Sequence, residues 1–256
     1  MNEVFGAQAS RFLSRDLLSA PVPYPSYSAL IRTGRTMIVV DPGDHARLVA
    51  ASGSKENSNG PASLLKQLEG SGVGPSEITH VVVTHLHFDH YAGVTRYQGG
   101  GYSPSFPNAE YIIPAKDWDM PDISEGRKKR DRDLAETLGV LQERGLLTLQ
   151  DGGRELAGDV AVEPAPGESP GHQLVALGPE SERGYIIGDL FHQREEVEHP
   201  ELMATWTDRG ALASTREAFS ARASRESAVI LSGHMPPGRI KLERDGVTWT
   251  ELDYHG

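Results

Sequence analysis

The chain has 256 residues, 38% of them hydrophobic and 24% charged, enough for one large domain with a core of its own. Lysine and arginine number 25 against 36 acidic residues, a formal net charge of −11, which argues against nucleic acid as the main partner because that affinity rests on clustered cations. Cysteine is absent, which excludes disulfides, thiolate zinc sites, iron–sulfur clusters and a cysteine nucleophile.

Residues 1–20 carry Arg11, Arg15 and Asp16 and no signal-peptide core, and no apolar run approaches the roughly 18 residues of a membrane span. A soluble cytoplasmic protein is the expectation. Residues 28–33 and 36–41 read as a hairpin turning at Gly34-Arg35. The polar stretch 51–60 reads as a surface loop, and Pro61 then opens a helix through Leu64, Leu65 and Leu68 to Gly70. A short buried strand is predicted at 80–84, an irregular loop at 97–107 and a strand at 110–113. The spacing of Leu134, Leu138 and Leu141 predicts one amphipathic helix over 128–143, ended by Gly145. Further strands are expected at 160–162, 174–177, 185–187 and 228–231, with a helix over 209–223 capped by Asp208 between the last two. Residues 239–251 read as a hairpin turning at Asp245-Gly246. Strands and helices interleave without a composition break, which predicts an α/β or mixed α+β chain forming a single domain over 1–256.

The densest chemical signal follows the strand at 80–84. In Thr84-His85-Leu86-His87-Phe88-Asp89-His90, four ligand-type side chains fall within six residues. Imidazole nitrogen and carboxylate oxygen suit zinc and its first-row neighbours. Three later positions share a grammar, a ligand-type residue in a glycine turn or just past a buried run: His172 in Ser-Pro-Gly-His, Asp189 in Ile-Ile-Gly-Asp and His234 in Leu-Ser-Gly-His. Singly, each is ordinary turn chemistry. Together they can supply the remaining ligands of a two-metal site.

His85-x-His87-x-Asp89-His90 followed in order by His172, Asp189 and His234 resembles the metallo-β-lactamase superfamily of hydrolases, over about residues 28–234. The resemblance implies a four-layer αββα sandwich. It implies two divalent metal ions per chain, zinc being the expected metal. His85, His87 and His172 would hold the first ion; Asp89, His90 and His234 the second; and Asp189 would bridge both. Asp41, in Val39-Val40-Asp41-Pro42-Gly43, matches the superfamily's early aspartate, a carboxylate that braces the metal-binding loop. With an aspartate at 189 where many penicillin-hydrolysing members carry a cysteine, β-lactams are not the expected substrate.

Two metals in such a site share a water and lower its pKa from about 15.7 toward neutrality, giving a bridging hydroxide that attacks a carbonyl or phosphoryl centre. Asp89 is placed to be both ligand and orienting base. His192, three residues after Asp189, stands where quorum-quenching lactonases of the superfamily carry a tyrosine. It resembles instead a branch with a Gly-Asp-x-x-His segment that includes lactonases, esterases and organophosphate hydrolases, and is expected to steady the oxyanion. The expected reaction is opening of a lactone or cleavage of a carboxylic ester. A phosphoric ester or organophosphate hydrolase and a thioester hydrolase are the alternatives. The partner is a small ester or lactone, with no nucleic acid or membrane expected. Substrate-contacting residues are not identified, although Tyr24, Tyr27, Tyr102, Phe106, Trp118 and Trp206 are aromatic candidates for a pocket or for packing. His45, His80, His199 and His255 read as solvated or structural.

Overall fold

Runs as apolar as Met37–Val40 and Val81–Val83 cannot face water on either side, and each becomes a central strand with helices laid against it. A computed structural model of the chain describes residues 25–43, 64–244 and 246–253. These fall into two units, Ser26–Asp151, and Gly152 onward together with Pro25. The predicted loop at 51–60, the helix start at Pro61, and Tyr24, His45, Asp245 and His255 lie outside the described residues.

The amino-terminal unit holds β1 (Ala29–Thr33), β2 (Thr36–Val40), β3 (His80–Val82), β4 (Thr95–Gln98), β5 (Gly101–Pro104), β6 (Glu110–Pro114) and β7 (Leu147–Gln150). Five of them form one sheet in the order β1-β2-β3-β6-β7, antiparallel at the β1–β2 hairpin and parallel beyond it. The predicted irregular loop is in fact the β4–β5 hairpin. Gly99 and Gly100 both take positive φ (63° and 87°), the requirement of a two-residue turn that matches strand twist, and Tyr97 packs edge-on against Tyr102.

Helices α1 (Leu64–Gly70), α2 (Phe88–Tyr91), α3 (Ala115–Trp118), α4 (Pro121–Lys129), α5 (Arg132–Glu136) and α6 (Leu138–Glu143) complete this unit. The single helix predicted over 128–143 is therefore broken. Arg130 turns left-handed (φ 52°), Asp131 caps α5 by accepting from the amides of Asp133 and Leu134, and Thr137 leaves helical geometry before α6. Leu134, Leu138 and Leu141 still reach one core with Val81, Val83, Tyr111 and Ile113, so the apolar spacing was sound and the local capping chemistry overrode continuity.

The carboxy-terminal unit holds β8 (Arg154–Ala157), β9 (Val160–Pro164), β10 (Gln173–Leu177), β11 (Gly184–Ile186), β12 (Val229–Leu231), β13 (Gly238–Glu243) and β14 (Gly246–Glu251) in a sheet ordered β14-β13-β12-β11-β10-β9-β8. Only β11–β12 is parallel, and α8 (Arg209–Glu226) is the crossover between them, preceded by the short α7 (Arg194–Glu198). Asp208 caps α8 as expected, its Oδ1 accepting from Gly210 N and Ala211 N at 3.0 Å each. Leu212, Phe219 and Ala223 of α8 pack with Leu174, Tyr185, Ile187 and Ile230. Among the described residues, no helix is long and apolar enough to cross a membrane.

Candidate metal centre

In the amino-terminal unit the site is built by the turn that follows β3. Asp41, just past β2, holds that turn. Its Oδ1 accepts from Thr84 N (2.7 Å), and its Oδ2 accepts from Thr84 Oγ1 (2.8 Å) and lies 2.9 Å from His90 Nδ1. Asp41 itself sits at φ 50°, a left-handed backbone that aspartate tolerates better than most side chains. On the other side, the buried Asp117 of α3 accepts from Leu86 N at 3.1 Å. A Cβ on Gly93 would stand 2.3 Å from Pro42 O, so only glycine lets the 41–43 loop lie against the ligand segment.

The result gathers three imidazoles. His85 and His90 are buried with ring centroids 4.2 Å apart, and His85 Nε2 lies 2.8 Å from His87 Nδ1. Asp89 Oδ2 lies 3.6 Å from His90 Nε2 and keeps about a quarter of its side chain exposed (28%).

In the carboxy-terminal unit, three strand ends supply the expected residues. His172 precedes β10, Asp189 follows β11 and His234 follows β12. His172 Nδ1 faces Ala165 O at 2.9 Å, and its Nε2 accepts from Asp189 N at 3.2 Å. His234 Nδ1 faces Pro25 O at 2.6 Å, and its Nε2 lies 3.2 Å from Asp189 Oδ1.

One pattern recurs across both units. His85 Nδ1 faces Thr84 Oγ1 at 3.1 Å, and that hydroxyl already donates to Asp41. His90, His172 and His234 likewise have Nδ1 against an oxygen acceptor. In each ring Nδ1 is the nitrogen turned to an oxygen, the arrangement an outer partner gives a histidine that holds a metal through Nε2.

His192 is buried, and its surroundings are charged. Glu196 Oε1 lies 3.1 Å from its Nδ1 and accepts from its backbone N at 3.1 Å, while Asp189 Oδ2 and Glu168 Oε1 lie 3.3 and 3.6 Å from its Nε2. Burial works against a charged ring, but the Glu196 and Asp189 carboxylates outweigh it and hold the His192 pKa well above its ordinary value in the metal-free chain. Glu196 is in turn held by Arg216 of α8, a fully buried guanidinium that also donates to Leu190 O (2.8 Å), Pro200 O (3.1 Å) and Leu202 O (2.7 Å).

Glu168, Glu196 and Arg216 were not among the residues singled out by sequence. Glu168 had a usable signal, standing four residues before His172 in Gly-Glu-Ser-Pro-Gly-His. Of the aromatic candidates, Phe106 and Trp118 are core residues, and half-exposed Trp206 donates its indole N–H to Glu168 Oε1 at 2.6 Å. Tyr102 lines a cleft of about 240 Å³ with Leu64, Leu65, Arg96 and Tyr97.

A profile described as the metallo-beta-lactamase superfamily matches residues 21–234. N-acyl homoserine lactonase AttM of Rhizobium radiobacter is 24% identical over 176 residues, a match that covers 66% of this chain and 63% of the lactonase's own length. Among solved structures, the hydrolase AbOPH of the beta lactamase superfamily aligns with a TM-score of 0.71 at 20% identity, covering 89% of this chain and 79% of that one. AidC, a dizinc quorum-quenching lactonase, aligns with a TM-score of 0.70 at 22% identity, over 90% and 80% of the two chains. At these identities the structural likeness establishes a shared fold of mixed α and β content.

Proposed function

The chain belongs to the metallo-β-lactamase superfamily, and from that premise we propose that it is a dinuclear metal-dependent hydrolase that opens a lactone or cleaves a carboxylic ester. The observation that carries the reading is the shared orientation of His85, His90, His172 and His234, each with Nδ1 turned to an oxygen. Histidines kept only for packing have no reason to agree on which nitrogen is turned to an oxygen. The donor set, imidazole nitrogen and carboxylate oxygen without a thiolate, fits zinc and similar divalent ions.

In this reading, as the family's ligand pattern implies, His85, His87 and His172 would hold the first ion, Asp89, His90 and His234 the second, and Asp189 both. When bound, the ions would supply Lewis acidity and a water of lowered pKa. The protein's part is orientation. Asp41 fixes the Thr84–His90 segment before any ion arrives, so little ordering remains to be done on binding. Asp89, partly exposed beside the buried His90, is the group able to accept a hydrogen bond from an incoming nucleophile and pass its proton on. Asp189 presents Oδ1 to His234 and Oδ2 to His192, so both of its oxygens face imidazole nitrogens.

The test pairs elemental analysis of protein purified without chelator with turnover of a chromogenic ester, a lactone read by a pH indicator, and a nitrophenyl phosphate. About two equivalents of metal and a preference for the lactone or ester are expected. Active protein with no metal would overturn the reading, and a preference for the phosphate would move it to the alternative substrate class.

A further inference from the structure

We infer that Glu168 and His192 are themselves metal ligands, forming with Asp189 a three-donor cation site in the carboxy-terminal unit. The inference rests on the metallohydrolase reading and adds two ligands to its seven. Its first ground is spacing. Donors about 2.0–2.2 Å from a tetrahedral ion stand about 3.3–3.6 Å from one another. His192 Nε2 lies 3.3 Å from Asp189 Oδ2 and 3.6 Å from Glu168 Oε1. A charge-assisted hydrogen bond closes to about 2.7–2.9 Å, as the Trp206 indole does on Glu168 at 2.6 Å in the same cluster. The two His192 separations have the length of a ligand–ligand edge.

The second ground is the ring's orientation. His192 Nδ1 faces the Glu196 carboxylate at 3.1 Å, so this ring follows the rule of the four proposed ligands, with Nδ1 held and Nε2 turned toward other donors. A carboxylate behind a histidine is a common outer partner of a metal-bound imidazole and raises its basicity. Glu196 is locked in turn by Arg216, so the ring has little freedom to turn away.

The third ground is charge. Glu168, Asp189 and Glu196 are all buried, and the buried guanidinium of Arg216 is matched to Glu196. Glu168 and Asp189 both turn an oxygen toward His192 Nε2 in the same buried space, a pair of carboxylates that a cation held at that point would neutralise together. All three donors belong to one unit, and Trp206, edge-on to His192 at 6.2 Å, walls the cluster.

The experiment uses the full chain and zinc alone. Zinc affinity is measured by competition with a chromophoric chelator, stoichiometry by elemental analysis, and coordination by the visible absorption of the cobalt(II)-loaded protein. Glu168→Gln keeps an acceptor for Trp206 and removes only the negative donor; His192→Phe keeps the ring's bulk. Each is expected to weaken zinc binding at one site by more than the roughly 10–100-fold that loss of an outer partner costs, and to alter the cobalt spectrum. Melting of the metal-free variants, followed by circular dichroism, checks the fold. If His192→Phe does not fold, Glu168→Gln decides alone. Affinity within tenfold of wild type with an unchanged cobalt spectrum, in either folded variant, overturns the inference and leaves His192 as the charged partner of two carboxylates. In that outcome the wild type still binds two ions. A wild type that binds none overturns the metallohydrolase reading, and this inference with it.

Discussion

In the amino-terminal unit, the four ligand-type side chains come from one six-residue segment after β3. In the carboxy-terminal unit, the corresponding groups are gathered from positions as far apart as 168 and 234, at the ends of three different strands. The first arrangement is held by backbone-directed bonds, Asp41 to Thr84 N and Asp117 to Leu86 N. In the second, His172 and His234 face backbone carbonyls, while His192 and Glu168 are held by other side chains, Arg216 to Glu196 to His192 and Trp206 to Glu168. A contiguous segment needs only its turn fixed. Scattered residues need each side chain fixed separately, which is why the second unit buries a charge network and the first does not need one as large.

The largest effect expected from breaking this contrast is at Asp89, the carboxylate of the contiguous segment. Asp89→Asn keeps the volume and loses the negative donor, so turnover should fall by about 10²–10⁴-fold, with metal loss in addition. Steady-state kinetics beside elemental analysis checks this, and survival of both would make Asp89 a structural residue. The next effect falls on the other unit and on stability. Arg216→Met leaves the buried Glu196 without its guanidinium, and breaking a buried pair in this way costs about 3–5 kcal/mol, read from urea unfolding of the metal-free protein. Asp41→Asn comes third. It keeps the size of the brace but exchanges one of its acceptor oxygens for a donor, and metal affinity or activity should fall about 10–100-fold with little change in unfolding. If Asp41→Asn cost as much stability as Arg216→Met, the two units would be braced alike and the contrast would fail.

The same contrast explains what could be read in advance. The Thr84–His90 segment, Asp41, the Asp208 cap and most strands were legible because their information is local: a ligand run, a β-run ending in aspartate, a capping residue before a helix. Arg216 was not legible. It lies inside an 18-residue helix with Arg209, Arg222 and Arg225, and only the carbonyls of Leu190, Pro200 and Leu202 make its position interior. Glu196 is equally hidden in Arg-Glu-Glu-Val-Glu, where adjacent acids read as a solvated face. The helix broken at Arg130 and the β4–β5 hairpin were misread for the opposite reason. The apolar spacing at 134, 138 and 141 reads as continuous, and the glycines at 99 and 100 read as part of an irregular loop where they form a specific turn.

The smallest expected effect is at Asp208, and it probes the scattered arrangement at its edge. Asp208 caps α8 with Oδ1, and its backbone N donates to Gly167 O at 2.9 Å, immediately before Glu168. Gly167 is pressed against the same helix, since a Cβ there would stand 2.4 Å from Leu212 Cα, and Thr215 Oγ1 donates to Pro166 O at 2.7 Å. The first turn of α8 is thus the surface on which the Glu168 loop rests. Asp208→Ala removes the cap and should cost about 1 kcal/mol in urea unfolding, while Asp208→Asn, still an acceptor, should cost a few tenths. The backbone bond to Gly167 survives both changes, so zinc affinity should stay within a few fold of wild type even in the alanine variant. A large loss of affinity with only about 1 kcal/mol of stability would mean that the helix end, rather than the Trp206 and Pro166 contacts, sets the position of Glu168. The scattered ligands would then depend on backbone order as closely as the contiguous ones do.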